Sequence, residues 1–362
     1  MSPTRRELAM MAAAGVLTPG LARAAPAKVP LVIAHRGASG ERPEETRSAY
    51  NLAIDEGADF IEPDLVATRD GILVARHENE IGATTNVAQR ADYADRKTTK
   101  TIDGQDVTGW FTEDFTLAEL KTLTCRERMP QLRPASAKFD GTEPILTFQE
   151  VIDIARAGSV RTARTIGIYP EMKHPSYFAS IGLPLEERLA GVLKANGYNS
   201  PASAVFVQCF EPGPLKTFAR LSRARRIQLI AAGPQAAEMT APDALKAIRA
   251  YAEGVGVEQS LVLDLDAEPF PAVRPLVADA HAAGLVVHSW TARPENYFLP
   301  KRLQRGDSKR ADFPRRSGDI RGLLITLYMS RLDGVFTDFP ALAVKARAEA
   351  MSLMQRQERQ RR

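Results

Sequence analysis

The chain has 362 residues, 44% hydrophobic and 25% charged, a composition that excludes a disordered or low-complexity polymer and leaves ample chain for a large core. Its formal charge of +4 sits at the two ends, where Arg5, Arg6 and Arg23 oppose Glu7 and the chain closes in "RQERQRR". The body between is close to neutral, which excludes the basic face of a nucleic-acid binder.

The first 24 residues carry an Arg-Arg pair, a short apolar run from Leu8 to Leu17 and "ARA" before Ala25. This is the pattern of an export signal of the twin-arginine type, placing the mature protein in the periplasm or outside the cell. The run is too short to span a bilayer, and no later segment is long and apolar enough to do so, so stable membrane insertion is not expected. From residue 31 onward, short β-branched runs recur at 31–37, 59–68, 165–173, 204–210, 226–232, 254–263, 284–292 and 334–340. Amphipathic stretches separate them, among them "EETRSAYNLAIDEG" and "TFQEVIDIARAG", several ending in the glycine that stops a helix. Strands alternating with helices predict a parallel sheet, and eight such units favour a closed (β/α)8 TIM barrel over an open sheet. The barrel domain spans 31–346, and 347–362 is a basic helix end or tail. Two segments break the rhythm. Residues 80–145 are polar and weakly periodic, an insertion after the second strand unit with a hairpin turn in "DGQDVTGW" and a short helix in "TLAELKTL". Residues 293–318 form a long basic loop; both belong at the strand C-terminal ends, where barrel enzymes keep their sites. Cys125 and Cys209 are too few and too far apart for a zinc site, and Cys209 lies in the apolar "VFVQCF", so no disulfide is expected.

The ionisable residues on this scaffold are unusual for stretches that otherwise look buried. His35 and Arg36 end the first strand, and Glu62 and Asp64 share one face of the second. His77 follows "GILVA", which extends the second unit as a hairpin, and Glu171 and Lys173 lie on the third strand. Converging carboxylates repel unless a cation lies between them, and an all-oxygen set suits one hard divalent ion, Mg2+ or Ca2+. Arg36 and Lys173 add the positive charge that a phosphate needs. The two histidines can take and give protons near neutral pH. Of the others, His174 belongs to a loop, His281 to a helix surface and His288 to packing.

The segments "HRG" with "PEET", then "EPDLVATRDGILVARHE", "GIYPEMK" and "GVFTDFP", resemble the glycerophosphodiester phosphodiesterase family, most closely its exported bacterial members. The resemblance runs from about residue 31 to 346. It implies hydrolysis of a small glycerophosphodiester, such as glycerophosphocholine or glycerophosphoethanolamine, to glycerol 3-phosphate and an alcohol through a cyclic phosphate. It further implies His35 and His77 as the acid/base pair, Glu62, Asp64 and Glu171 as metal ligands, and Arg36 and Lys173 as phosphate contacts. Trp290 corresponds to an aromatic position near the glycerol, and Gln208 and Phe210 to positions lining the mouth. Glu45 before Thr46, Glu78 after His77 and Pro63 between Glu62 and Asp64 depart from the family pattern. Two other readings stay open: a related barrel phosphodiesterase acting on intact lipids, and a binding protein without catalysis. The oligomeric state and preferred headgroup are not legible.

Overall fold

A computed structural model describes residues 29–267 and 272–361; the expected export signal, 1–24, lies outside the described residues. Eight parallel strands form a closed ring. They are Leu31–His35, a second strand in two pieces (Phe60–Glu62 and Asp64–Ala67), a third in two pieces (Gly167–Ile168 and Glu171–Met172), Phe206–Cys209, Arg225–Ile230, Gly254–Glu258, Val286–Ala292 and Gly334–Thr337. Each strand pairs with the next, and the eighth returns to the first with Leu31 opposite Gly334. The expected TIM barrel is thus present.

The breaks in the second and third strands have a chemical cause. Pro63 has no N–H to give the ladder, yet its carbonyl still accepts from the Glu171 amide at 2.9 Å. Pro170 interrupts the third strand in the same way, and its carbonyl accepts from the Gln208 amide.

Strand residues alternate between two cores. Outward apolar side chains pack beneath the helices, while Ile33, Phe60, Tyr169, Phe206, Ile227 and Phe336 form a separate cluster inside the ring. Ile33 shares a strand face with His35, Phe60 with Glu62, Tyr169 with Glu171 and Phe206 with Gln208. The apolar plug therefore forms a floor, and the polar residues two positions further along stand above it at the mouth. His288 belongs to the plug, where its Nδ1 lies 2.6 Å from the Tyr169 hydroxyl, so it is packing as expected.

Around the ring, helices start at threonine caps. Thr46 accepts from the Ala49 amide before Arg47–Asp55, and Thr147 and Glu150 form a reciprocal capping box before Phe148–Thr162. Leu73–Ala75 folds back antiparallel on Asp64–Ala67, as the hairpin expectation required. Within 80–145, Thr98–Ile102 and Gln105–Gly109 pair around an Asp103–Gly104 turn with positive φ at both residues, the geometry that an Asp-Gly hairpin favours. The expected short helix there is Leu117–Leu120.

One strand expectation is corrected. The run 254–263 is not a single strand: it stops at Glu258, turns into the helix Gln259–Val262, and Leu263–Asp264 then pairs antiparallel with Ala272–Val273. The basic C-terminus is the continuation of the last helix, Pro340–Arg361. Both cysteines are free and buried. Among the described residues, no helix is long and apolar enough to cross a membrane.

Candidate active site

The first strand ends in a turn that reverses the chain over the barrel mouth. Arg36 sits at φ 57° and Gly37 at φ 83°, and a Cβ on Gly37 would fall 2.7 Å from the Ala49 backbone, so only glycine fits there. This turn aims the Arg36 amide at Glu62, whose Oε2 accepts it at 2.8 Å. Glu62, Asp64 and Glu171 are all buried, and one oxygen of each lies within 4.8 Å of the other two. Gln208 donates to Glu62 Oε1 at 2.9 Å and Lys173 to Glu171 Oε1 at 2.9 Å. Arg36 Nε lies 2.8 Å from Asp64 Oδ2, a charge contact whose angles are not those of a hydrogen bond, so both Asp64 oxygens remain without a donor.

The electrostatics of the trio are strained as they stand. Burial, followed by the charge of Asp64, pushes the Glu62 carboxyl well above the usual range. Burial also lifts Glu171 to about 7, despite Lys173 beside it. Burial acts upward on Asp64 too, but Arg36, His77 and Lys173 outweigh it and bring the group down to about 2. Three carboxylates so close cannot all ionise without added positive charge. Hard oxygen donors, the proximity of the three groups and the two donor-free oxygens of Asp64 together fit a divalent cation. The trio can hold such an ion.

Each imidazole is braced by a carboxylate. His35 Nδ1 lies 2.7 Å from Asp338 Oδ1, and His77 Nδ1 lies 2.5 Å from Glu78 Oε1. Hydrogen on Nδ1 leaves Nε2 as the free acceptor of each ring, an assignment made from the carboxylate partners. His77 Nε2 accordingly faces Lys173 Nζ at 3.3 Å. Burial and then Arg36 bring His35 down to about 4, against the opposing pull of Asp338. Burial, Arg36 and Lys173 hold His77 well below its ordinary value. Both rings are therefore neutral bases in the ligand-free protein at neutral pH.

These groups open onto a cavity of about 330 Å3, lined by His35, Arg36, Glu62, His77, Glu171 and Lys173 on one side. Gln208, Phe210, Trp290 and Phe298 line it further along, with Glu258 and Arg293. Phe210 meets Trp290 edge to face at 5.8 Å, and the Trp290 indole is fixed by donation to the Gly256 carbonyl at 3.0 Å. Asp64 lies behind this lining, against Arg36. His174 pairs instead with Asp103 of the hairpin turn, and His281 pairs with Asp333, both away from the cavity.

The structure adds groups that sequence reasoning passed over. Asp338, one residue beyond the eighth strand, is 1% exposed and takes Arg133 and Arg293 on its second oxygen while holding His35 on its first. Arg128 spans Glu44 and Glu78, and Glu44 also takes Arg36. The departures from the family pattern find partners here. Glu78 reaches His77 and Arg128 together. Glu45 accepts the Asp64 amide at 2.9 Å and the Tyr50 hydroxyl, and is fully buried.

Fixed cations able to receive an anionic ester stand next to groups able to move protons, all at the strand ends of a parallel barrel; that combination fits a phosphoester hydrolase. Comparison narrows the class. Residues 35–342 match the model of the Glycerophosphoryl diester phosphodiesterase family, and the chain belongs to that family of enzymes. It is 34% identical over 330 residues to a glycerophosphodiester phosphodiesterase of Arabidopsis thaliana, covering 86% of this chain and 84% of the relative. A glycerophosphodiester phosphodiesterase of Haemophilus influenzae is 28% identical, with 87% of this chain and 89% of the relative covered. Among solved structures, a putative glycerophosphoryl diester phosphodiesterase from Silicibacter pomeroyi shares the fold with a TM-score of 0.61 at 20% identity, over 89% of this chain and 94% of that one. An Oleispira antarctica phosphodiesterase, solved with the product sn-glycerol-3-phosphate, does so with a TM-score of 0.55 at 22% identity, over 88% and 96% of the two chains.

Proposed function

We propose that this enzyme hydrolyses glycerophosphodiesters to glycerol 3-phosphate and an alcohol with His35 and His77 as the proton carriers. The observation that carries the reading is the position of Lys173. Its ammonium lies 2.9 Å from Glu171 and 3.3 Å from His77 Nε2, joining the acidic cluster to a proton-transfer group in one cavity. A divalent ion, Ca2+ or Mg2+, held by Glu62, Asp64 and Glu171 supplies charge neutralisation for the phosphate when bound. Arg36 and Lys173 bind and orient the phosphate oxygens from the protein side.

The nucleophile in this reading belongs to the substrate. One imidazole takes the proton of the glycerol 2-hydroxyl at Nε2 as that oxygen attacks phosphorus. The bond to the headgroup oxygen breaks, and the second imidazole, protonated beside the anionic diester, gives that oxygen its proton. Water then opens the cyclic phosphate with the proton roles reversed, and glycerol 3-phosphate leaves. Positioning and proton transfer are all that the chain's own groups must provide. Trp290, Phe210 and Gln208 form the wall against which the glycerol and its neighbouring oxygens lie.

The test is release of glycerol 3-phosphate from glycerophosphocholine and glycerophosphoethanolamine. Stoichiometric binding of these diesters without turnover would turn the reading into that of a binding protein, and phosphodiester cleavage of intact phosphatidylcholine alone would turn it into that of a phospholipase C- or D-like enzyme. The arginine pair and small-residue site near Ala24 support export by the twin-arginine route, which carries folded cargo, and N-terminal sequencing of the exported protein, expected to begin near Ala25, checks it.

A further inference from the structure

The stretch from Arg128 to Arg133 reaches both imidazoles by the same construction. His77 leans on Glu78 at 2.5 Å, and the other oxygen of Glu78 is gripped by Arg128 at 2.7 Å. His35 leans on Asp338 at 2.7 Å, and the other oxygen of Asp338 is gripped by Arg133 at 2.5 Å. Each arginine is anchored on its far side: Arg128 to Glu44 at 2.6 and 3.0 Å, and Arg133 to Glu295 at 2.8 Å and to the Ser39 carbonyl at 2.9 Å. We propose that this insertion segment is a positioning device for the reaction, with Arg128 setting the orientation of His77 through Glu78 and Arg133 setting that of His35 through Asp338.

The proposal rests on the reading of His35 and His77 as the proton carriers. Its physical basis is that a carboxylate held by only one oxygen can rotate, carrying the imidazole with it, whereas one held at both oxygens fixes the ring plane and the Nδ1–H tautomer. Neither arginine lines the cavity, and each meets the carboxylate behind an imidazole, so the proposal has both act through another side chain. The two arms are not equal. Asp338 keeps Arg293 at 2.7 Å when Arg133 is lost. Glu78 has no second cation among the described residues when Arg128 is lost. The Arg128 arm is therefore the more sensitive.

The test is a pair of double-mutant cycles on the full enzyme, with kcat and KM measured for glycerophosphocholine. Arg128→Gln is expected to lower kcat about 10- to 100-fold with KM nearly unchanged, the range for losing the group that orients a functional histidine. In the His77→Ala background the same change is expected to cost less than about twofold, and in the His35→Ala background its full effect returns. Arg133→Lys, which keeps the charge that Asp338 and Glu295 need for folding, is expected to show the reverse pairing with a smaller loss. Guanidinium added to Arg128→Ala is expected to restore part of kcat, since Arg128 is 24% exposed and its vacated place is reachable. Equal losses in every background, or losses in KM alone, would overturn the proposal by making the arginines merely structural. Wild-type rates for His35→Ala or His77→Ala would instead strike the histidine reading itself. Should Arg133→Lys fail to fold, the Arg128 cycle decides the matter alone.

Discussion

Replacing Asp338 by Asn removes one charge while keeping the shape, and the structure sets what that costs. The carboxylate is 1% exposed and contacts His35 at 2.7 Å, Arg133 at 2.5 Å and Arg293 at 2.7 Å. Arg133 keeps Glu295 and the Ser39 carbonyl, so it stays compensated. Arg293 keeps no other carboxylate among the described residues, but at 22% exposure water screens part of its charge. Breaking a buried ion pair from one side costs about 3–5 kcal/mol, and these two mitigations place the loss near the lower end, about 3 kcal/mol. Burial alone would raise the Asp338 pKa, yet Arg293 and Arg133 hold it well below the ordinary value. A carboxyl depressed in the folded state stabilises above its unfolded pKa of about 4, and that contribution is lost as pH falls through the folded value. The difference in unfolding free energy between wild type and Asp338→Asn should therefore be constant near neutrality and shrink on acidification. Turnover should fall about 10²- to 10⁴-fold, because an amide no longer dictates which His35 nitrogen carries the proton. Urea unfolding between neutral and acidic pH, with kcat on glycerophosphocholine at neutral pH, measures both. A variant within twofold of wild-type kcat and with unchanged stability would refute the reasoning.

Other expectations follow from the same geometry. His35→Ala and His77→Ala should each lower kcat about 10²- to 10⁴-fold with unaltered circular dichroism, and steady-state kinetics on folded variants decides which of them carries protons. Glu62→Gln should weaken ion binding, so that raising Ca2+ or Mg2+ recovers activity; a metal titration showing an unchanged midpoint would remove Glu62 from the ligand set. Tyr50→Phe takes the hydroxyl from Glu45, which is fully buried, and should cost about 1–3 kcal/mol in urea unfolding.

Much of the barrel was legible because its strands are buried on both faces and appear as compact β-branched runs. The interruptions at Pro63 and Pro170 were harder to place, since a proline in such a run marks a missing donor without saying which neighbour changes partner. The run 254–263 misled because apolar content does not distinguish the strand ending at Glu258 from the helix Gln259–Val262 that continues it. At the mouth, strand periodicity was enough to put Glu62 and Asp64 on one face, and the barrel reading, in which strand ends converge, brought in Glu171, which lies opposite Asp64. Asp338 carried the same signal, an acidic residue just past a strand of apolar residues, and was passed over within "GVFTDFP". Arg128, Arg133 and Glu295 had no such signal. They lie in aperiodic segments, and their partners are fixed only by closure of the ring, which brings Arg133 to a residue 205 positions away.

Removing bound metal with EDTA and restoring Ca2+ or Mg2+, while following glycerol 3-phosphate release from glycerophosphocholine, tests most directly the claim that the buried acidic trio works around an ion. The account predicts loss of activity on chelation and its return with the added cation. Undiminished turnover in the chelated enzyme would contradict it.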